Sequence, residues 1–214
     1  MSRAKNRGTG TRAGTRASPS VRTDPLLAAH TIALIGLMGV GKSTVGRRLA
    51  RRIGLPFFDA DSEIEAAAGL SVADIFAAYG EAEFRAGEAR VIRRLVEGPP
   101  HVLATGGGAV LNPETLALLR ERTIMVWLKA DLEVVSGRVA RRDTRPLLRG
   151  RDPLETLRQM AQARYPIYEQ AHVTVETGQG THQEAVEAII EAVLAHLNDR
   201  TDKDRPEKNR PTRP

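Results

Sequence analysis

Residues 36–43 read Gly36-Leu37-Met38-Gly39-Val40-Gly41-Lys42-Ser43, a full match to the pattern G-x-x-x-x-G-K-[ST]. An apolar run at residues 31–35 precedes the octet and a segment of helical period at 43–53 follows it, so it sits where a strand turns into a helix. In that setting the glycines let backbone N–H groups turn inward around a polyanion, and the helix N-terminus adds a favourable dipole. Lys42 reaches the β- and γ-phosphates of a nucleotide, and the Ser43 hydroxyl can ligate Mg²⁺. The candidate nucleotide contacts are Gly39, Val40, Gly41, Lys42, Ser43 and Thr44. A glycine-rich turn before an ordinary helix is the alternative, and it would not require the complete octet in this context.

Short apolar runs recur at residues 31–35, 56–58, 102–105, 124–128 and 172–176, and segments of helical period lie between them. That alternation predicts an α/β fold with a parallel sheet. The helices are expected at 43–53, 72–95 with a break at Gly80, 113–121, 132–141 and 153–164. A last helix opens with Thr181-His182-Gln183-Glu184, a Thr-x-x-Glu capping box. It carries Ala185, Val186, Ile189, Ile190, Val193 and Leu197 on one face, which should dock on the sheet. No repeat with a period of 20–50 residues is present, and one domain over residues 29–198 is expected.

The 214 residues carry a formal charge of +6, which invites a nucleic-acid reading until the charge is located. Residues 1–23 hold six Lys or Arg and no acid; residues 199–214 hold six against four Asp or Glu. Removing +6 and +2 from the total leaves −2 for residues 24–198. A nucleic-acid-binding domain would concentrate positive charge on its folded face, so no stable nucleic-acid partner is expected. Residues 1–28, rich in Gly, Ser, Thr, Pro and Arg, and residues 199–214, with Pro206, Pro211 and Pro214, have too little apolar surface to offset ordering and are expected to be disordered. Arginines and hydroxyls without acids also suit an organelle transit segment, but Gly8, Gly10, Gly14 and Pro19 interrupt the apolar helical face that such a segment needs. No apolar run is long enough to span a bilayer, so a cytoplasmic protein without a membrane partner is expected. The absence of cysteine excludes disulfides, thiolate catalysis and thiolate metal sites.

The second strand ends Phe57-Phe58-Asp59-Ala60-Asp61. Carboxylates at i and i+2 share one side of a strand, here at the C-terminal edge where α/β sheets bind ligands. Asp59 is the candidate metal carboxylate, acting through water, and Asp61 the candidate holder of an acceptor hydroxyl in line with the γ-phosphate. Either acid could instead cap a helix starting near Ser62. The third strand does not end in an acid; residues 102–105 run into Gly106-Gly107-Gly108, which leaves Asp59 as the metal acid and lets a substrate approach the backbone closely. Trp127, among Ile124, Met125, Val126 and Leu128, is expected to pack against a helix. The five histidines lack metal-ligand spacing; His101, His172 and His182 fall at element edges, where hydrogen-bonded structural roles are expected.

With these segments in hand the chain resembles the shikimate kinases: GLMGVGKST, DADSEIE, GLSVADIFAAYGEAEFR, ATGGGAV, RPLL and RYPIYEQAH follow one another in that order. The resemblance covers about residues 30–178. It implies a P-loop three-layer α/β/α sandwich, nucleoside-monophosphate-kinase-like, with sheet order 2-3-1-4-5, an acceptor region around residues 62–90 and a lid around residues 142–158. It assigns acceptor binding to Asp61, Arg85, Gly107 and Arg164, phosphate contact from the lid to Arg145, and a position beside adenine to Arg138. Guanidinium forks suit a carboxylic acid acceptor, and Glu88, three positions after Arg85, can orient that fork. An exposed helix ion pair is the alternative for Arg85, and a solvated helix arginine the alternative for Arg138.

The expected reaction is transfer of the ATP γ-phosphoryl group to the 3-hydroxyl of shikimate, with Mg²⁺, on the route to chorismate and the aromatic amino acids. Lys42, Asp61 and Arg145 are the expected catalytic residues, and a monomer is expected. Two rivals remain at this point: a kinase for gluconate or a nucleoside monophosphate, and a kinase-like binding domain without turnover. A third reading gives the basic N-terminal arm a nucleic-acid or membrane contact.

Overall fold

In the computed structural model, residues 24–140, 152–178 and 180–203 are described. Five strands, β1 (Ile32–Ile35), β2 (Phe57–Asp59), β3 (Val102–Ala104), β4 (Ile124–Ala130) and β5 (Val173–Thr177), form one sheet of order β2-β3-β1-β4-β5. All pairings are parallel, with Ile32 opposite both Val102 and Ile124, and Ile35 opposite Trp127. This is the order that the resemblance implied. The three central strands are buried along almost their whole length, as strands covered on both faces must be. Edge strand β5 instead alternates buried Val173 and Val175 with exposed Thr174 and Glu176.

The helices are α1 (Pro25–Ala28), α2 (Lys42–Ile53), α3 (Ala60–Ala68), α4 (Val72–Val96), α5 (Pro113–Arg122), α6 (Leu132–Ala140), α7 (Pro153–Tyr168) and α8 (His182–Lys203). Helix α2 packs with α8 over one face of the sheet, where Gly46 lies against Leu34 and Phe57. Val126 pairs with Leu34, so its neighbour Trp127 projects from the other face, where it meets Tyr165 and Tyr168 of α7 at ring-centroid distances of 4.9 and 5.9 Å. The helix packing expected for Trp127 is thus present. Helix α4 is broken at Gly80, with φ 81° and ψ 175°, at the expected position. The capping box of α8 forms: Glu184 N–H donates to Thr181 Oγ1 at 3.2 Å and Thr181 N–H to Glu184 Oε2 at 2.8 Å.

The boundaries expected at residues 28 and 198 need correction. Asp24 caps α1, and Leu27 is only 2% exposed in the core, so the folded part begins before residue 28. Helix α8 continues to Lys203, past its last apolar residue Leu197, since no glycine or proline interrupts it before Pro206. Residues 1–23 and 204–214, the remainder of the two expected tails, lie outside the described residues. Helix α7 also outruns its expected end at Arg164, passing through Pro166 to Tyr168. A proline forfeits one backbone bond, and the aromatic packing of Tyr165 and Tyr168 on Trp127 offsets that loss. No described helix is long and apolar enough to cross a membrane.

Candidate active site

The loop leaves β1 through Gly36, whose φ of 140° and whose place 2.5 Å from Leu128 O, measured from where a Cβ would stand, admit only glycine. It ends at Gly41, φ 99°, the N-cap of α2. Lys42 arches back over the loop, its Nζ donating to the carbonyls of Gly36 at 2.8 Å and Leu37 at 2.9 Å. Lys42 thus lies over a loop that runs into the N-terminus of α2, where first-turn N–H groups and the helix dipole favour an anion. Helix α6 closes the other side, with Val135 and Val139 against Gly39. Arg138 on that helix donates to Gly178 O at 3.2 Å, which ties it to the turn after β5 and away from the acceptor groups. Val40 is buried, and Thr44 is exposed beside Ser43.

Ser43 Oγ donates to Asp59 Oδ2 at 2.5 Å, bringing together the two groups expected to serve the metal. Asp59 Oδ1 also accepts from the Asp61 N–H at 3.2 Å, so Asp59 is the cap of α3. The capping alternative therefore falls to Asp59 rather than to Asp61.

On α4, Arg85 Nη1 donates to Glu88 Oε2 at 2.7 Å, and its Nε and Nη2 donate to Glu81 Oε1 at 3.3 and 3.2 Å. The side chains of Arg85 and Glu88 are 23% and 3% exposed, which rules out the exposed-pair alternative. Burial pushes the Glu88 carboxyl above its ordinary value; the Arg85 guanidinium pulls it down, while Asp61 and Glu81 add to the rise. Glu88 Oε1 is buried with no hydrogen-bond partner.

The three glycines after β3 are where these groups meet. Thr105 fixes their start, with its N–H and Oγ1 both donating to Leu34 O at 3.1 Å. A Cβ on Gly106 would stand 2.5 Å from Glu88 Oε1 and 3.1 Å from Asp61 Oδ1. One on Gly108 would stand 2.5 Å from Arg85 Nη2. One on Gly107 would stand 3.4 Å from both Gly36 O and Met38 N of the phosphate loop and 3.5 Å from Arg164 Nη1. The glycine triplet therefore brings Asp61, Arg85 and Arg164 to the edge of the phosphate loop. Arg164 is held there by its own bond, Nη1 to Gly107 O, at 3.1 Å.

Arg145 and most of the expected lid lie outside the described residues, and residues 153–158 of that span are the first turns of α7. The sequence reading missed two partners: Glu81, the second acid on the Arg85 fork, and Tyr168, whose hydroxyl donates to the same Gly107 carbonyl at 2.5 Å. Tyr168 lies four positions after Arg164, one helical turn, but an end at Arg164 removed that relation from view.

A shikimate kinase family model matches residues 38–194. The shikimate kinase of Caulobacter vibrioides is 61% identical over 167 residues, covering 78% of this chain and 84% of that protein. That of Bradyrhizobium diazoefficiens is 50% identical over 182 residues, covering 85% and 88%. Among solved structures, the shikimate kinase from Acinetobacter baumannii in complex with shikimate superposes with a TM-score of 0.76 at 38% identity, covering 79% of this chain and 96% of that one. A phosphate loop, a carboxylate pair at the next strand end and two arginines on one glycine triplet thus occur on a chain that matches these proteins over most of its length, and the chain belongs to the shikimate kinase family.

Proposed function

We propose that the chain transfers the γ-phosphoryl group of ATP to the 3-hydroxyl of shikimate, with acceptor and nucleotide held on opposite sides of Gly106–Gly108. The observation that carries this division is the triplet itself, which meets Asp61, Glu88 and Arg85 on its acceptor side and Gly36, Met38 and Arg164 at its centre. Arg85 and Arg164 bind the acceptor carboxylate through paired charge-assisted hydrogen bonds, and Glu88 and Glu81 keep the Arg85 fork oriented. The N–H of Gly107 contributes a further donor. Asp61 orients the attacking hydroxyl.

The hydroxyl oxygen attacks the γ-phosphorus in line, the bond from phosphorus to the β,γ-bridging oxygen breaks, and ADP leaves. Asp61 receives the hydroxyl proton late in that step. Lys42, and Arg145 from the RPLL segment, stabilise charge on the transferring oxygens. Arg138 lies on the nucleotide side, on the helix that closes over Gly39, in keeping with a place beside the adenine.

Mg²⁺ fits the donors present. Ser43 Oγ and Asp59 Oδ2 are adjacent oxygens beside the phosphate loop and would serve as ligands to the ion. Among the described residues no group of three or more His, Asp or Glu side chains is disposed to hold a metal unaided. Ser43 and Asp59 would therefore share the ion with phosphate oxygens and water. The ion would neutralise charge on the β- and γ-phosphates. On this reading the chain acts as a monomer in the cytoplasm.

The test is ADP release with ATP, Mg²⁺ and, in turn, shikimate, quinate, gluconate and AMP. Turnover with shikimate is expected to exceed that with the other three by at least an order of magnitude. Comparable or faster turnover with gluconate or AMP would overturn the assignment.

A further inference from the structure

The three glycine carbonyls have different partners. Gly106 O accepts from the Ala109 N–H at 3.2 Å and Gly108 O from the Leu111 N–H at 3.0 Å, so both are used by the short 3₁₀ turn that follows. The carbonyl of Gly107 instead receives two donors from α7, Arg164 Nη1 at 3.1 Å and Tyr168 Oη at 2.5 Å. A carbonyl has two lone pairs, so both bonds can be made at once.

Tyr168 has no exposed surface. Phenylalanine would fill the same space against Trp127 and Tyr165 without burying a hydroxyl, and a buried hydroxyl is unfavourable unless it is bonded. The phenol therefore gains its place from the bond to Gly107. Burial also raises its pKa, with the Arg164 guanidinium pulling the other way, so it remains a protonated donor throughout the working range.

Arg164 has two demands on one guanidinium, the Gly107 carbonyl and, on the reading proposed above, the acceptor carboxylate. If Arg164 alone held Gly107 O, turning toward the acceptor would leave a partly buried carbonyl unpaired, and that penalty would be charged against acceptor binding. We propose that Tyr168 is a positioning residue for acceptor recognition: its hydroxyl keeps Gly107 O satisfied and the glycine triplet in place, which releases the Arg164 fork to the acceptor carboxylate. The inference rests on the shikimate-kinase reading and adds to it a specific role for a core side chain that touches no substrate.

The measurement is steady-state kinetics on the full chain with Tyr168→Phe, alone and combined with Arg164→Ala, alongside circular dichroism and Tm. The single variant is expected to raise the KM for shikimate about 5- to 30-fold, while the KM for ATP stays within about twofold and kcat within about threefold. In the Arg164→Ala background, losing the hydroxyl should raise the shikimate KM by less than about twofold, since the effect passes through Arg164. An unchanged shikimate KM, an equal rise in both backgrounds, or a Tyr168→Phe chain that no longer folds would each overturn the role assigned here. These outcomes are separate from failure of the parent reading, which would appear as absent turnover of shikimate by the unmutated chain.

Discussion

Replacing Arg85 by Ala separates the acceptor from the nucleotide more sharply than any other single change. The side chain carries charge-assisted bonds to Glu88 at 2.7 Å and to Glu81 at 3.2 Å, and on the proposed reading a further bond to the acceptor carboxylate. Losing that last interaction costs about 1.5–3 kcal/mol, or about 10- to 150-fold in affinity for shikimate. Binding of a non-hydrolysable ATP analogue without acceptor should change by less than about twofold, because Lys42 and the loop N–H groups remain. Titration calorimetry with shikimate, its neutral amide and the ATP analogue measures all three quantities. The unmutated chain should prefer the acid to the amide by at least tenfold, and Arg85→Ala should lose most of that preference.

The same variant has a stability signature. Glu88 is 3% exposed, and without Arg85 nothing opposes the upward push of burial on its carboxyl. Its folded-state pKa lies above its unfolded one, so its contribution is present below the unfolded carboxylate range and lost as pH rises through the folded value. Relative to the unmutated chain, the Tm of Arg85→Ala should therefore be closest in mild acid and fall behind as pH rises to 8. A variant that weakened the nucleotide, or kept the preference for acid over amide, would refute the division of labour among the arginines.

Lys42→Ala should lower kcat by several orders of magnitude with the fold retained by circular dichroism, and near-normal turnover would remove Lys42 from the chemistry. Gly108→Ala should raise the shikimate KM without altering that for ATP: φ −105° accommodates alanine, so the conflict is confined to the new methyl and the Arg85 fork 2.5–2.8 Å away. His172 Nδ1 accepts the Met125 N–H at 2.9 Å, which only the unprotonated nitrogen can do. Burial, with His196, Arg200 and Arg120 adding to it, holds its pKa below the ordinary histidine value, so this stability is present above the unfolded pKa and lost as pH falls through the folded one. Tm should accordingly drop between pH 7 and 5, and His172→Asn, which keeps an acceptor but cannot titrate, should flatten that drop; equal slopes would refute it.

Features governed by local rules were legible in the sequence. Glycine at fixed offsets, the capping box at Thr181 and the break at Gly80 are each decided within a few residues, and the central strands announce themselves as continuous apolar runs because both faces are covered. What escaped depends on contacts distant along the chain. Pro166 stops a helix by local reasoning, yet Tyr165 and Tyr168 pack on Trp127, about 40 positions earlier, and carry α7 past it. Leu27 looked like part of a polar tail until α8 supplied a surface for α1. The two acids at the end of β2 were both identified, but that Asp59 both caps α3 and bonds Ser43 required the register of β2 beside β3.

The sheet order bears on how the chain acquires its activity. Ile32, four residues before the phosphate loop begins, is paired with Val102 and Ile124, 70 and 92 positions further on, and not with β2, the next strand in sequence. Loops of that length must close before β1 is flanked on both sides, and such distant pairings form slowly. During synthesis the nucleotide-binding loop, encoded near the start, therefore has no rigid support until β4 has emerged, well past the middle of the chain. Nascent fragments ending before β4 should bind ATP poorly however long they wait, and competence should appear as a step once Ile124–Ala130 can join the sheet.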